Sequence, residues 1–295
     1  MDFPPSELIL NERGGVYHLG VRPEEIASTI LLVGDPGRVQ QIARFFDEVL
    51  FTHQHREFIT CTGMYQNTKL TVIATGIGTD NIDIVINELD ALVNIDLTTR
   101  KVKKELTSLR IIRIGTCGIL QSTIPLNSFI LSTAALGLDT VPYYYNSSTS
   151  HQLVNNPLVD ELKKQVQFPT GVSPYLAPSS PELTKLLRSE KTIEGITVTG
   201  SGFYAPQGRR LRLPLAMPNF IDALSAFNYK GETLANFEME CSALFALSNA
   251  FGHKVTAICL GIANRKQQAF STTIQENMNE LIRYVLFQLA LGCRL

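Results

Sequence analysis

The chain has 295 residues, of which 44% are apolar, and its 26 basic and 27 acidic side chains leave a formal net charge of −1. A chain of this size can bury one large core, and no stretch approaches the roughly 20 consecutive apolar residues that a membrane span requires. Because nucleic-acid backbones demand a strongly basic surface, the balanced charge leads us to expect no nucleic-acid partner, and we expect no membrane partner either.

Short apolar runs rich in β-branched residues alternate with segments of helical periodicity along the chain. The predicted strands cover residues 30–33, 70–74, 111–114, 129–132, 196–199 and 255–259. The predicted helices cover residues 39–46, 82–92, 241–250 and 274–291. This alternation predicts an α/β fold with a largely parallel sheet that is covered on both faces.

Two stretches do not fit this alternation. Residues 94–109 contain the charged run Arg100-Lys101-Val102-Lys103-Lys104-Glu105, which predicts an exposed helix or extended loop with a solvated face. Residues 141–157 contain Tyr143-Tyr144-Tyr145 before a polar run and predict a surface loop. The three tyrosines either pack against the core or offer rings on which a base can stack.

The start of the chain and its cysteines bear on the cellular compartment. Residues 1–11 are acidic and contain two prolines, in place of a basic region followed by an apolar segment, which argues against a secretory signal. Five cysteines, at positions 61, 117, 241, 259 and 293, show no metal-binding spacing. An odd number of cysteines scattered through apolar segments is typical of reduced, buried thiols. We therefore expect a cytoplasmic protein.

The common nucleotide and zinc signatures are absent from the sequence. No phosphate-binding GxxxxGK[ST] motif occurs, and Gly76-Ile77-Gly78 is followed by Thr79-Asp80-Asn81, where a dinucleotide fingerprint requires a third glycine. His53-Gln54-His55 has no carboxylate partner nearby in the sequence, and a lone pair of this kind is usually structural. The sequence therefore argues against a nicotinamide enzyme.

Two arginines stand where a predicted strand ends in a glycine cluster. Arg38 closes Gly34-Asp35-Pro36-Gly37-Arg38, and Arg113 precedes Gly115-Thr116-Cys117-Gly118. Open α/β sheets bind ligands at the carboxyl ends of their strands. A guanidinium offers a planar fork of donors to an oxyanion, and glycines let backbone N–H groups approach the same anion. The pattern therefore predicts an oxyanion site, with both arginines at its mouth.

Six segments of the chain agree with one another in type and order. They are Gly34-Asp35-Pro36-Gly37-Arg38, His55-Arg56-Glu57-Phe58, Arg113-Ile114-Gly115-Thr116-Cys117-Gly118, Phe203-Tyr204-Ala205-Pro206-Gln207-Gly208-Arg209, Phe237-Glu238-Met239-Glu240-Cys241 and Ile262-Ala263-Asn264-Arg265. With these segments the chain resembles the nucleoside phosphorylase-I family, from Tyr17-His18-Leu19-Gly20 to the C-terminal helix. The resemblance implies a single domain over residues 1–295, a three-layer α/β/α arrangement around a central mixed, largely parallel sheet, with residues 94–109 as an insertion.

The resemblance also implies an activity, and it is greatest to the family members that act on uridine. The implied reaction is phosphorolysis of uridine to uracil and ribose 1-phosphate, with inorganic phosphate as co-substrate and no required cofactor. The implied assembly is a homo-oligomer, a dimer or hexamer, that shares active sites between subunits. Three alternatives stay open: a purine-directed nucleoside phosphorylase, a nucleosidase that uses water, and a non-catalytic nucleoside-binding sensor.

The family's site residues carry over segment by segment. The residues implied to bind phosphate are Gly34, Arg38, Arg113 and Thr116, with Arg56 supplied by a neighbouring subunit. The residues implied to bind the base are Phe203, Gln207 and Arg209. The residues implied to bind ribose are Glu238, Met239 and Glu240, with His18 reaching the 5′-hydroxyl across the subunit interface. The implied catalytic residues are Arg113, Gln207 and Arg209.

The base-binding segment suits uracil on chemical grounds. One edge of uracil presents a carbonyl, an N–H and a second carbonyl, so its reader needs a donor, an acceptor and a donor. Gln207 can accept from the ring N–H while donating to one carbonyl, and Arg209 can donate to the other. Cytosine would turn an amino group toward Arg209 and leave polar groups unpaired, which discriminates strongly.

The chain departs from its family at three positions. Asn264 stands near the place where purine phosphorylases have an aspartate that protonates the leaving base. Cys117 replaces a threonine and is a weaker hydrogen-bond donor. The family's potassium site would fall on Glu57, the carbonyl of Ile77 and Asn81, where the bacterial enzymes have a serine at the third position.

Overall fold

The computed structural model describes residues 2–146 and 152–292. The strands are β1 Thr29–Val33, β2 Glu48–His55, β3 Phe58–Tyr65, β4 Thr68–Ala74, β5 Ile95–Asp96, β6 Lys101–Val102, β7 Arg110–Ile119, β8 Phe129–Gly137, β9 Tyr175–Pro178, β10 Thr192–Thr199, β11 Asn228–Tyr229, β12 Glu232–Glu238, β13 Lys254–Asn264 and β14 Ala269–Phe270. The α-helices are α1 Pro36–Ala43, α2 Thr79–Asn94, α3 Pro157–Gln165, α4 Pro181–Leu187, α5 Phe220–Ala226, α6 Cys241–Ala250 and α7 Ile274–Gly292. Short 3₁₀ turns cover Pro23–Glu25, Val141–Tyr144 and Ala205–Gln207.

One mixed sheet runs through the described part of the chain in the order β11-β12-β10-β8-β13-β7-β1-β4-β3-β2. Its centre is largely parallel: β4, β1, β7 and β13 run side by side in one direction, and so do β8, β10 and β12. Antiparallel pairs join these blocks at β8 and β13 and extend the sheet through β3 and β2. β12 also pairs with the end of β7. The five strands β7, β13, β8, β10 and β12 therefore form a closed ring of paired strands. The expected mixed, largely parallel sheet is confirmed.

The three-layer arrangement follows from the side-chain alternation of the central strands. Ile30 and Leu32 of β1 pack into a cluster with α2 and α6, whereas Leu31 and Val33 pack into a second cluster with α1 and α7. Successive side chains of a strand point to opposite faces, so a strand with helices on both sides is apolar throughout. This is why β1, with its sequence TILLV, is buried at every position.

Most predicted elements are present with shifted bounds. α1 begins at Pro36 because proline suits the first helical position and Asp35 caps the helix, its Oδ1 accepting from the N–H of Gly37 at 2.8 Å. The predicted strand at 111–114 is only the first half of β7. For residues 94–109 the helix alternative is wrong, since β5 and β6 form a two-stranded hairpin there. Residues 101–108 are exposed as expected.

The loop at 141–157 is described except for residues 147–151, and two of its three tyrosines are held by neighbouring residues, whereas Tyr144 is 85% exposed. Tyr145 contacts the α2–α6 cluster and donates to Asp83, while its hydroxyl accepts from Asn87 at 2.9 Å. Tyr143 donates to the carbonyl of Ser173 at 2.8 Å. Packing thus accounts for Tyr143 and Tyr145, and none of the three tyrosines lines the cavity described below.

Four of the cysteines, at positions 61, 117, 241 and 259, are free and buried, as expected for reduced thiols; position 293 lies outside the described residues. Within residues 2–146 and 152–292, no helix combines the length and apolar character needed to cross a membrane.

Candidate active site

A cavity of about 700 Å³ opens where the central strands end. Most of the residues implied by the family resemblance line it: Gly34, Arg38, Glu57, Ile77, Asn81, Arg113, Thr116, Phe203, Gln207, Arg209, Glu238, Met239 and Glu240. They come from segments that are up to 206 residues apart in the chain, from Gly34 to Glu240, so the sheet topology brings them together. His18 and Arg56 do not line this cavity.

Strand register explains why these segments meet. β1 pairs in parallel with both β4 and β7, with Leu32 opposite Arg113. β1 therefore ends while β7 continues, and the glycine segment that follows β1 lies beside Thr116 and its neighbours. β12 contributes Glu238 at its last position, directly before α6 begins. The cavity is thus built from the carboxyl ends of parallel strands.

Arg113 is buried, and it lies between two buried carboxylates. Its Nη2 donates to Glu240, and its Nε lies 3.5 Å from Oε2 of Glu238. Burial alone would lower the pKa of Arg113, but the charges of Glu240 and Glu238 outweigh burial and raise it. The expectation that Arg113 lies at the mouth of the site is wrong: its side chain is turned inward, against the start of α6, because both of its acidic partners are there.

Glu238 binds the start of α6. Its carboxylate accepts from the N–H groups of Glu240 at 2.9 Å and Cys241 at 3.0 Å, and from the hydroxyl of Thr199 at 2.6 Å. Burial and the neighbouring Glu240 carboxylate raise the pKa of Glu238 to about 8, against the opposing charge of Arg113. Because Glu238 caps α6, the Glu240 side chain does not. The Glu240 oxygen that does not bind Arg113 accepts from the N–H of Gly78 at 2.9 Å.

Several buried guanidinium N–H groups around this cluster have no hydrogen-bond acceptor within residues 2–146 and 152–292. They are Nε of Arg38 and Nε and Nη1 of Arg113. Nη1 of Arg38 donates to the carbonyl of Ile114 at 3.2 Å, and burial together with the Arg113 charge lowers the pKa of Arg38. A β-carbon on Gly34 would lie 3.7 Å from Nη2 of Arg113. Unpaired buried donors are costly, so this corner suits an anion.

Gln207 and Arg209 meet in the same cavity, where a β-carbon on Gly118 would lie 4.0 Å from Nη2 of Arg209. Nη1 of Arg209 donates at 2.6 Å both to Oε1 of Gln207 and to the carbonyl of Phe203, and its guanidinium lies 3.7 Å from the centre of the Phe203 ring. The turn between the two residues requires Gly208, whose φ is +64°. Gln207 is buried, whereas Phe203 remains 50% exposed.

The two residues expected to act across a subunit interface lie apart from the cavity. His18 is held by Glu88, with its Nδ1 2.7 Å from a carboxylate oxygen. Arg56 is exposed, adopts a left-handed φ of +52°, and stands over the ring of Tyr17 at 5.6 Å. Their role in a shared site stays a prediction.

The residues implied for a potassium ion gather around Gly76. A β-carbon there would lie 2.5 Å from the side-chain amide of Asn81 and 3.5 Å from Glu57, and Ile77 follows directly. Carboxylate, carbonyl and amide oxygens are the hard donors that such cations prefer. The Asn81 atom nearest to Gly76 is Nδ2, which is a hydrogen-bond donor, so only Oδ1 of Asn81 could supply the third oxygen, and the potassium site stays a prediction.

Sequence reasoning missed two residues with a place in the site. Thr199 ends β10, donates to Glu238 and accepts from the N–H of Ser242 at 3.0 Å. Phe270, on β14, lines the cavity and is 64% exposed. Neither carries a local signal, because each joins the site only through strand pairing.

Asn264 does not line the cavity. Its amide donates to the carbonyls of Gln121 at 3.1 Å and Ile124 at 3.2 Å, and its oxygen accepts from the N–H of Gln267 at 3.2 Å. The side chain therefore has a structural role in holding two loops together.

Comparisons with known proteins agree on one family. A family model described as the phosphorylase superfamily matches residues 28–286. A uridine phosphorylase of Thermococcus kodakarensis is 30% identical over 271 residues, which are 91% of this chain and 84% of that protein. A purine nucleoside phosphorylase of the DeoD type from Oceanobacillus iheyensis is 28% identical over 88% of this chain and 91% of its own length. A Trypanosoma brucei nucleoside phosphorylase whose crystal structure is described as showing uridine phosphorylase activity superposes with a TM-score of 0.86 at 29% identity, covering 96% of this chain and 99% of that one.

Proposed function

The chain belongs to the phosphorylase superfamily, and on that premise we propose that it is a uridine phosphorylase, which cleaves uridine with inorganic phosphate to uracil and ribose 1-phosphate. It is an enzyme of the pentosyltransferase type. The observation that carries the choice of uridine is that one cavity is lined both by Arg38 and Arg113, which have unpaired buried donors, and by the Gln207–Arg209 pair. The buried, free cysteines support our expectation of a reducing cytoplasm.

Unpaired guanidinium donors in the cavity support a phosphate site. Among the described residues, Nε of Arg38 and both Nε and Nη1 of Arg113 lack acceptors, and phosphate oxygens would supply them. Such charge-assisted bonds fix the orientation of the anion as well as its position. Gly34 and Thr116 would add a backbone N–H and a hydroxyl, and Arg56 would come from a second subunit.

The ribose would lie over the start of α6. Glu240 has carboxylate oxygens bound to Arg113 and to the N–H of Gly78, and each oxygen keeps a lone pair for the 2′- and 3′-hydroxyls. Met239 would pack against the sugar, and Glu238 would hold the backbone of Glu240 in place. His18 does not line the cavity of its own chain. It would reach the 5′-hydroxyl only from a neighbouring subunit, as a shared active site requires.

The base would lie against Phe203 with its polar edge toward Gln207 and Arg209. Because Arg209 already donates to Gln207, the acceptor and donor that uracil requires are held next to each other before it binds. Half of the surface of Phe203 is left exposed for contact with the ring.

The reaction follows from this arrangement. Phosphate attacks C1′ as the N-glycosidic bond breaks, and its negative charge stabilises the oxocarbenium-like sugar. Uracil leaves with the electron pair of the broken bond, and its charge spreads onto carbonyls that Arg209 and Gln207 bind more tightly than in the neutral base. A potassium ion at Glu57, Ile77 and Asn81 would supply fixed positive charge and no chemical step.

The main alternative is a purine-directed phosphorylase, because relatives of that kind also match most of the chain. Purine phosphorolysis needs an acid that protonates the leaving base, and Asn264 is an amide bound to two carbonyls outside the cavity. This favours uridine.

Release of free base from uridine and from inosine, with and without phosphate, tests the proposal. Phosphate-dependent release of uracil supports it, phosphate-independent release indicates a nucleosidase, cleavage of inosine alone indicates a purine enzyme, and no release indicates a sensor. In the same assay Arg209→Ala should lower kcat for uridine by about a hundredfold or more, as loss of an oxyanion donor does. Arg210→Ala is the matched control, since Arg210 is exposed and does not line the cavity. Equal activity of the two variants would contradict the role of Arg209.

A further inference from the structure

Thr199 is the strand neighbour of Glu238. β10 and β12 run in parallel, and their register places Thr199 directly opposite Glu238. The threonine is buried and does not line the cavity, so it touches neither substrate of the proposed reaction. Any effect of Thr199 on that reaction must therefore pass through Glu238.

The direction of the Thr199 hydroxyl is fixed by its partners. A threonine hydroxyl has one hydrogen to donate and two lone pairs with which to accept. Its oxygen accepts from the N–H of Ser242 at 3.0 Å and lies 2.6 Å from Oε1 of Glu238. Because an N–H can only donate, the hydroxyl hydrogen is left for the Glu238 carboxylate.

In the part of the chain that the structure describes, every group that bonds the Glu238 side chain is a donor. Besides Thr199, these donors are the main-chain N–H groups of Glu240 at 2.9 Å and Cys241 at 3.0 Å. Donors stabilise the ionised form of a carboxyl group, whereas burial stabilises the neutral form. A substitution cannot delete a main-chain N–H, so Thr199 is the donor in this set that mutation can remove.

The charge of Glu238 bears on the anion site through Arg113, whose Nε lies 3.5 Å from Oε2 of Glu238. Protonation of Glu238 removes a negative charge from beside that guanidinium and so favours a bound dianion. The charged and titratable groups that face Glu238 are Arg113 and Cys117 of β7, Glu240 and Cys241 at the start of α6, and Cys259 of β13. A change at Thr199 leaves all of these groups in place.

We propose that Thr199 is a positioning residue of the anion site, whose hydroxyl sets the pH above which Arg38 and Arg113 bind a dianion less tightly, by donating to Glu238. The inference rests on the proposed function, since that function assigns phosphate to these two arginines. Without the hydroxyl, Glu238 should stay protonated to a higher pH, and tight binding of the anion should extend to that pH.

Binding of sulfate at a series of pH values tests this role without depending on turnover. Sulfate stays a dianion from mildly acidic to alkaline pH, whereas phosphate takes up a proton near neutrality. Calorimetric titration gives the dissociation constant for the natural chain, Thr199→Val, Thr199→Ser and Glu238→Gln. Thr197→Val is the matched control, because Thr197 is also buried on β10 but its hydroxyl donates to Asn236 at 2.9 Å. Uridine phosphorolysis is measured on the same preparations.

In the natural chain the affinity for sulfate should fall by about tenfold or more as the pH rises through the pKa of Glu238, about 8. A hydrogen bond to a charged group changes an equilibrium by about tenfold to a hundredfold, so Thr199→Val should raise the midpoint of this fall by about one to two pH units. Thr199→Ser and Thr197→Val should keep the natural midpoint. Glu238→Gln should bind sulfate with little dependence on pH.

An unmoved midpoint in Thr199→Val, or one that Thr199→Ser fails to restore, overturns the role of Thr199. A fall in affinity that persists in Glu238→Gln overturns it as well, and that measurement does not depend on the folding of the Thr199 variants. If uridine is not cleaved but the shift holds, the proposed function fails and the role of Thr199 at the anion site stands. If uridine is cleaved and the midpoint does not move, the proposed function stands and the role of Thr199 fails.

Discussion

Glu240→Gln tests the centre of the site, because it removes one charge while keeping nearly the same shape. Glu240 binds Arg113 with one oxygen and the N–H of Gly78 with the other. A glutamine keeps an acceptor for Gly78 but turns an N–H₂ group toward the guanidinium, so two donors face each other. Arg113 would then be buried with only Glu238 nearby, at 3.5 Å.

Loss of this buried ion pair should lower the free energy of unfolding. Removing one partner of a buried ion pair costs about 3–5 kcal/mol, and the remaining carboxylate of Glu238 puts this case at the lower end, about 3 kcal/mol. An unfolding entropy of about 2.1 cal/mol/K per residue converts this loss into a fall in Tm of about 5 °C. Phosphate should restore part of it, because a ligand that binds the folded state stabilises that state.

The catalytic effect separates ribose binding from mere instability. If Glu240 accepts from the 2′-hydroxyl, the natural chain should prefer uridine to 2′-deoxyuridine, and Glu240→Gln should reduce that preference by about tenfold to a hundredfold. The assay is kcat/KM for both nucleosides below the melting range, with Glu232→Gln as control, since Glu232 is exposed at the start of β12. An unchanged ratio between the two nucleosides would refute the ribose assignment, and an unchanged Tm would refute the account of the buried pair.

Three further predictions concern other parts of the site. Arg38→Met should raise KM for phosphate by about tenfold to a hundredfold through loss of charge-assisted hydrogen bonds; initial rates at varied phosphate check this, and an unchanged KM would remove Arg38 from the anion site. Because the pKa of Glu238 is raised to about 8 in the folded protein, well above that of an exposed glutamate, its stabilising contribution is complete below about pH 4.3 and is lost as the pH rises through about 8. Urea unfolding at several pH values between these limits should therefore show that the natural chain loses stability relative to Glu238→Gln as the pH rises. The total loss is about 1.4 kcal/mol for each tenfold difference in the proton affinity of Glu238 between the folded and unfolded states. Parallel plots of stability against pH for the two proteins would contradict the raised pKa. Asn264→Asp should lower the free energy of unfolding by about 1–3 kcal/mol, because a carboxylate would face the carbonyls of Gln121 and Ile124. The same substitution should not confer cleavage of inosine. Gain of that activity would show that residue 264 lies within reach of the base.

The parts of the fold that the sequence predicts well are those whose signal is local. The apolar run of β1 carries its own evidence in strand periodicity, and helical spacing locates α1, although the predicted start at residue 39 is three positions after the observed start at Pro36. β2 is absent from the predicted strands, because its only apolar run is the short Val49-Leu50-Phe51 and the strand is exposed or half-buried at every position. The closure of β12 onto β7 likewise rests on pairing between residues more than 100 positions apart.

The same distinction applies to the site. The family segments indicate which residues gather in the cavity, and the residues implied within one subunit do line it. The burial of Arg113 was not predictable from its own surroundings, because the carboxylate that holds it comes 127 residues later in the chain. The role of Thr199 is hidden for a similar reason, since a threonine at a strand end has many ordinary uses.

The arrangement around Arg113 explains how a buried guanidinium can serve a phosphate. Glu240 and Glu238 hold the side chain from one side and offset the cost of burying its charge, while Nη1 stays without an acceptor. If both carboxylates were ionised, the cluster would repel an incoming dianion. Burial and the Glu240 charge raise the pKa of Glu238 to about 8, and a protonated Glu238 would reduce that repulsion. Its carboxyl group accepts from the first N–H groups of α6 and so holds the backbone of Glu240. Under the proposed function, Glu238 would thus moderate the charge at the phosphate while Glu240 binds the sugar.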